Sequence, residues 1–171
     1  MIELEKTYLA KEIPKGLENC ESKEVIDVYY PKESKHPVIR LRKNGPKYEL
    51  TKKQPIDGDA SEQMESTIKL TEFEFKEFSK LEGKEVSKIR YYYPFGTLTA
   101  EVDVFQGALK GLVLVDFEFE SSEEKAEFEM PDFCLADVTP EVFIAGGMVC
   151  GKSYSDIQEE LARFDYEKLH M

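Results

Sequence analysis

Leu98-Thr99-Ala100-Glu101-Val102-Asp103-Val104-Phe105 is followed, across a glycine-bounded link at 107–111, by Leu112-Val113-Leu114-Val115-Asp116-Phe117-Glu118-Phe119. Successive side chains of a β-strand point to opposite faces. Each run therefore sets two carboxylates on one face, Glu101 with Asp103 and Asp116 with Glu118, and puts valines on the other, joined in the second run by Phe117 and Phe119. The link is too short for the crossover that parallel pairing needs, so the two runs should lie side by side and antiparallel.

Three more runs carry same-sign pairs at alternate positions: Glu3/Glu5 in Ile2–Leu9, Arg40/Arg42 in Val38–Lys43 and Lys88/Arg90 in Val86–Tyr93. Glu24–Tyr30, Lys47–Lys53 and Glu65–Leu70 also read as strands, which makes eight. Turn residues such as Asn44-Gly45-Pro46 and Pro94-Phe95-Gly96 join several of them. For one strand alone, a charged alternation is a solvated face over an ordinary core. Surface faces usually mix signs, however, because like charges repel across neighbouring strands.

Five runs of a single sign point instead to an inverted arrangement, with the apolar face covered from outside and the ionic face lining a lumen. Buried carboxylates and guanidinium groups are costly unless paired or matched to a charged ligand. Oxygen-only acidic clusters suit Mg²⁺ or Mn²⁺, and arginine and lysine suit phosphate oxygens. The expected fold is α+β, mainly β: a closed eight-stranded antiparallel barrel, or tunnel, with a polar charged lumen and a few flanking helices. Closure removes exposed strand edges.

Capping boxes predict the helices. Thr71-x-x-Glu74 precedes Phe73, Phe75 and Phe78, read as helix packing; Ser121-x-x-Glu124 opens a short acidic helix; Ser153-x-x-Asp156 starts an amphipathic C-terminal helix.

The whole chain, 171 residues with formal charge −12, suits a single domain spanning 1–171. The acids are segregated. Residues 1–100 are nearly neutral, whereas 101–150 hold 12 acids against Lys110 and Lys125. Overall acidity argues against nucleic acid as a partner. Without an apolar span or leader, the expectation is a cytoplasmic protein, monomer or homodimer, that does not engage membranes. Cys20, Cys134 and Cys150 fit neither a disulfide framework nor a zinc site.

Taken in order, these runs resemble the CYTH superfamily, the triphosphate tunnel metalloenzymes. Ile2-Glu3-Leu4-Glu5-Lys6-Thr7 is similar to that family's Glu-x-Glu-x-Lys strand, Arg40-Leu41-Arg42 to its Arg-x-Arg strand and Leu50-Thr51-Lys52-Lys53 to its Leu-Thr-x-Lys strand. Lys88-Ile89-Arg90, Glu101-Val102-Asp103 and Asp116-Phe117-Glu118 follow in matching order. The resemblance covers roughly residues 2–155.

It implies a small triphosphate substrate held in the tunnel with one or two divalent metals, Mg²⁺ or Mn²⁺. Glu3, Glu5, Asp116 and Glu118 would be metal ligands, while Arg40, Arg42, Lys53, Lys88 and Arg90 would grip phosphate. Glu5, Glu118, Arg40 and Lys88 would stand closest to catalysis, with Glu65, Glu101, Asp103 and Thr7 as further tunnel-lining residues. Hydrolysis would rest on positioning and charge neutralisation during in-line attack by water.

One position departs from the pattern: Thr7 stands where the family has lysine, and Lys6 points to the opposite face. Thr7 therefore motivates an alternative, a polyphosphate- or nucleotide-binding module with impaired turnover. A third reading is class IV adenylyl cyclase chemistry on ATP, loosely suggested by His36-Pro37-Val38-Ile39-Arg40.

Gly146-Gly147-Met148-Val149-Cys150-Gly151-Lys152-Ser153 matches GxxxxGK[ST] literally. A P-loop, however, belongs on the first strand of a parallel sheet, with an acidic strand downstream. Here only one helix follows, so the segment is expected to be a glycine-rich helix entry.

Overall fold

A computed structural model of the chain describes residues 4–35, 37–56 and 59–171, with backbone alone at 53–56, 59–64 and 146. Among the described residues nine strands form one sheet: β1 (Glu5–Ala10), β2 (Ser22–Tyr30), β3 (Ile39–Asn44), β4 (Lys47–Ile56), β5 (Asp59–Leu70), β6 (Lys84–Phe95), β7 (Leu98–Phe105), β8 (Val113–Glu118) and β9 (Cys134–Asp137). Their order is β5-β4-β3-β2-β6-β7-β8-β1-β9, and every pairing is antiparallel. Glycines with positive φ, Gly45 at +55° and Gly96 at +59°, turn the β3–β4 and β6–β7 hairpins.

All eight expected strands are present, but the expected closed eight-stranded barrel is not: the sheet has a ninth strand and, among the described residues, is not closed by hydrogen bonds. β9 occupies the outer edge of β1, pairing Tyr8 with Asp137 and Leu9 with Ala136. Thr7 reinforces that edge, because its N–H donates to Thr139 Oγ1 and its carbonyl accepts from the Val138 N–H. At the other end, β5 pairs with β4 alone among the described residues. With the β1 ladder already filled, the two ends of the sheet do not join among the described residues.

Each face has its own apolar cluster. On the face opposite the ionic residues, Tyr8, Val102, Val115 and Phe117 are buried beneath the segments that carry Leu17, Phe128 and Phe133. Rings close this layer, with Phe117 and Phe128 centroids 4.6 Å apart.

The ionic face is itself divided. Beyond its charged stretch, Leu9, Leu114, Phe105, Val86 and Tyr29 continue the same strand alternation as an apolar floor. Two C-terminal helices cover this floor, α3 (Gly146–Val149) and α4 (Tyr154–Ala162), following α1 (Glu72–Phe78) and α2 (Ser122–Glu127) in chain order. Ile157 and Leu161 of α4 are each 1% exposed, burial worth about 1.5–3 kcal/mol apiece. The expected caps form: the Ser153 N–H donates to Asp156 Oδ2 at 2.7 Å, and Thr71 and Ser121 cap α1 and α2.

Helix α1 corrects the packing expected of its phenylalanines. Phe73 is 72% exposed and Phe78 is also exposed, while Phe75 lies 5.0 Å from the Tyr48 ring. The Gly146–Ser153 segment has no parallel strand before it. Val142–Ile144 is a single 3₁₀ turn, and the segment itself holds α3 and a loop into α4. No helix among the described residues is long and apolar enough to cross a membrane.

Candidate active site: an acidic and a basic half on one face

The ladder registers put the charged pairs on a common face. β1, β8 and β7 lie side by side, pairing Glu5 with Glu118, Thr7 with Asp116, and Asp116 with Glu101. This makes an acidic half. β6, β2 and β3 are also neighbours and carry Lys88, Arg90, Asp27, Arg40 and Arg42 on that face. Segregation along the chain thus becomes segregation across a surface, with the seam between β6 and β7.

At the seam, Asp103 is fully buried and binds two cations. Arg90 donates from Nε and Nη2 to its two oxygens, 2.7 Å each, and Lys88 forms an ion pair with Oδ2. Arg90 Nη1 turns to Glu101, and Nη2 reaches Asp116 Oδ2 at 3.5 Å. Burial alone would raise the Asp103 pKa, but Lys88 and Arg90 hold it below the usual carboxylate range.

Asp116 lies deeper in the acidic half and behaves differently. Burial and the charge of Asp103 push its carboxyl up to about 6, against the pull of Lys88 and Arg90. The Thr7 hydroxyl donates to Asp116 Oδ1 at 2.7 Å. Burial likewise raises Glu101. Glu5 and Glu118 are exposed at the rim.

In the basic half, Arg42 donates from Nε and Nη2 to the two oxygens of Asp27, both at 2.7 Å. Asp27 is 3% exposed. Burial would raise its pKa, but hydrogen bonds from Arg42 and the charges of Arg42, Lys88 and Arg40 hold it low. Arg40, two residues along β3, has a buried Nε with no partner among the described residues. A buried N–H without an acceptor is costly, and the charge around it suits an anion.

Further out, Arg40 pairs in register with Thr51, and Thr51 with Thr67. The Thr67 hydroxyl donates to Glu65 at 3.0 Å. Lys53 pairs with Glu65 along the ladder, but its side chain lies outside the described residues, as do Glu3 and His36. Thus Glu5, Thr7, Asp116, Glu118, Glu101, Asp103, Lys88, Arg90, Arg40 and Arg42 share one surface, with Glu65 at its β5 margin. Among the described residues, no three His, Cys, Asp or Glu side chains form a group arranged to hold a metal ion. Glu3, one of the four expected ligands, is not in that set.

Sequence reasoning missed Asp27. Its only signal was a lone carboxylate in an otherwise apolar strand, Val25-Ile26-Asp27-Val28-Tyr29, a position that requires a buried partner.

An inorganic triphosphatase of Nitrosomonas europaea is 32% identical over 141 residues, covering 81% of this chain and 90% of the relative. The chain belongs to the CYTH superfamily. No family model matches it. Its fold resembles the crystal structure of an inorganic triphosphatase, with TM-score 0.67, 24% identity and coverage of 89% of this chain and 96% of that one. A Hippeastrum protein described as a putative adenylyl cyclase with a dominant triphosphatase activity shares the fold at TM-score 0.50 and 12% identity, over 71% of this CYTH chain and 81% of that one.

Proposed function

We propose that this CYTH protein hydrolyses a small triphosphate, inorganic triphosphate being the first candidate. The carrying observation is the division of one ionic surface into a basic half around Arg40 and Arg42 and an acidic half around Glu5, Asp116 and Glu118. The 32% identical inorganic triphosphatase supports the reading.

The basic half supplies the phosphate grip. Arg40 Nε has no acceptor among the described residues, and Arg42, fixed by Asp27 on one edge, keeps other N–H groups for phosphate oxygens. Lys88 and Arg90 stand at the seam, where they oppose the charge of the acidic half and of an incoming polyanion. Lys53 completes the cationic set in this proposal.

The acidic half fits a divalent cation by its donor chemistry. Glu5 faces Glu118 directly, and Glu101 faces Asp116. Such like-charge cross-strand pairs repel, and their oxygen donors suit a hard cation. Glu5, Asp116 and Glu118, with Glu3, would hold Mg²⁺ or Mn²⁺, which when bound neutralises charge on phosphate oxygens. The protein's part is to orient the chain of phosphates between the two halves and to present the terminal phosphorus to water for in-line attack.

A single domain over 1–171, a cytoplasmic location and a monomeric or homodimeric state belong to the same proposal. Incubation with inorganic triphosphate, thiamine triphosphate and ATP in Mg²⁺ or Mn²⁺ tests it. Orthophosphate release supports hydrolysis, cyclic AMP without orthophosphate supports cyclase chemistry, and thermal stabilisation without product supports a binding module.

A further inference from the structure

We propose that Asp27 is a positioning residue for phosphate binding that acts through Arg42; the inference rests on the triphosphate reading above and deepens it. Asp27 is the one carboxylate that β2, β3 and β6 place on the ionic face, between Arg42 and the charges of Lys88 and Arg40, with Glu49 of β4 on the far side of Arg42. β6 and β7 separate it from Asp116 and Glu118 on β8. Both its oxygens are engaged by Arg42 at 2.7 Å, and the residue is 3% exposed. A carboxylate committed in this way serves its arginine and is not a cation ligand.

The edge it engages matters. A guanidinium has five N–H donors in a rigid plane. Asp27 takes one from Nε and one from Nη2, which fixes the plane and leaves Nη1 and the second Nη2 hydrogen for another acceptor. The fold uses the same device at Arg90: buried Asp103 takes the Nε–Nη2 edge, and the Nη1 left over reaches a second carboxylate, Glu101. In Arg42 the corresponding Nη1 makes no ion pair among the described residues, although Glu49 of β4 stands opposite Arg42 in the ladder. Its acceptor in this proposal is a substrate phosphate.

Asp27 also offsets repulsion. Lys88 and Arg40 both act on it electrostatically. Without its charge, Arg42 would be repelled by those cations and released from its fixed plane. A pre-oriented donor loses less entropy on binding, so loss of Asp27 should weaken affinity more than it slows turnover.

The test measures inorganic triphosphate affinity by calorimetry, in Mg²⁺, together with the KM and kcat of orthophosphate release. Asp27→Asn should raise Kd and KM by about tenfold, roughly the worth of one charge-assisted hydrogen bond, with a smaller fall in kcat. In an Arg42→Gln background, adding Asp27→Asn should change Kd by less than about twofold. If Asp27→Asn alone fails to fold, Asp27→Glu serves in its place: it keeps the charge beside Lys88 and Arg40 but displaces the carboxylate from the Nε–Nη2 edge of Arg42, and should raise Kd in the same direction. Unchanged affinity in Asp27→Asn, or effects of the two substitutions that simply add, would overturn the role of Asp27 while leaving the triphosphatase reading intact. A wild-type chain that binds triphosphate without releasing orthophosphate would overturn the hydrolase reading, while the affinities still decide on Asp27. A wild-type chain that does neither overturns both.

Discussion

The Thr7 hydroxyl donates a 2.7 Å hydrogen bond to Asp116 Oδ1. In the motif this strand resembles, a lysine stands at the Thr7 position, so a neutral donor holds a carboxylate that a cation would otherwise face. Thr7→Lys places a positive charge in the Thr7–Asp116–Glu101 row. It is expected to raise kcat/KM for inorganic triphosphate by about tenfold, one charge-assisted contact. Steady-state orthophosphate release checks this, and an unchanged rate would mean that the substitution at position 7 is neutral for turnover.

Asp116 also predicts a pH dependence of stability in the chelated, metal-free protein. Its folded pKa, about 6, lies above the ordinary value of 3.8. A raised carboxyl contributes stability that is present below the unfolded value and lost as pH rises through the folded one. Asp27 and Asp103 are held low, so their contribution disappears only as pH falls below the ordinary carboxylate range. Between about pH 4.5 and 7, therefore, the melting temperature of the wild type should fall relative to that of Asp116→Asn. Mg²⁺ should flatten the difference by favouring the ionised carboxylate. Parallel melting curves for the two proteins would contradict the assignment.

Asp103 should matter more for stability than for any single contact. It is fully buried and serves both Lys88 and Arg90. Asp103→Asn leaves Lys88 without its ion pair and removes one of the carboxylates that hold Arg90, a loss of about 3–5 kcal/mol when one member of a buried ion pair is removed. For a chain of this length that corresponds to about 10 °C in melting temperature. Differential scanning calorimetry on both proteins gives the answer, and a shift of a degree or two would show that Arg90 and Lys88 find other partners.

Arg40 and Lys152 separate the ionic face from the literal P-loop pattern. Arg40 has an unpartnered buried Nε on the ionic face, whereas Lys152 lines a cavity of about 200 Å³ with Ser87, Gln106 and Leu109. Arg40→Ala should weaken triphosphate binding at least about tenfold, and Lys152→Ala should leave it within about twofold. Calorimetric titration of both variants checks the pair. The opposite ranking would revive the phosphate-binding loop at residues 146–153.

Much of this was legible in the chain because strand alternation is a local property. Leu98–Phe105 is an observed strand with unchanged ends, and Thr71, Ser121 and Ser153 cap the helices they were expected to cap. Parity correctly grouped Glu101 with Asp103 and Lys88 with Arg90, but it carries no register. That Glu5 faces Glu118, and that three acidic strands adjoin, depends on sheet order.

The ninth strand escaped notice because Cys134-Leu135-Ala136-Asp137 is short and lacks a clear alternation. Missing it also produced the false expectation of closure, since β9 fills the edge of β1 that closure would need. Asp27 escaped for a related reason. Two like charges at alternate positions mark a face within one strand, whereas a single buried acid reveals its partner only once β2 and β3 are paired. On α1, the phenylalanine spacing suggested packing, but the helix lies beside β3, β4 and β5 and, among the described residues, only Tyr48 meets it ring to ring.

The most direct test is the initial rate of orthophosphate release from inorganic triphosphate, measured in Mg²⁺ and in Mn²⁺ for the wild type and for Glu5→Gln. The account predicts release by the wild type that stops on chelation and falls by about a hundredfold or more in Glu5→Gln, the order of loss when a principal electrostatic contributor to a transition state is removed. Metal-dependent release that Glu5→Gln leaves unchanged would contradict the acidic half as the cation site. No release by the wild type with either metal would contradict hydrolysis itself.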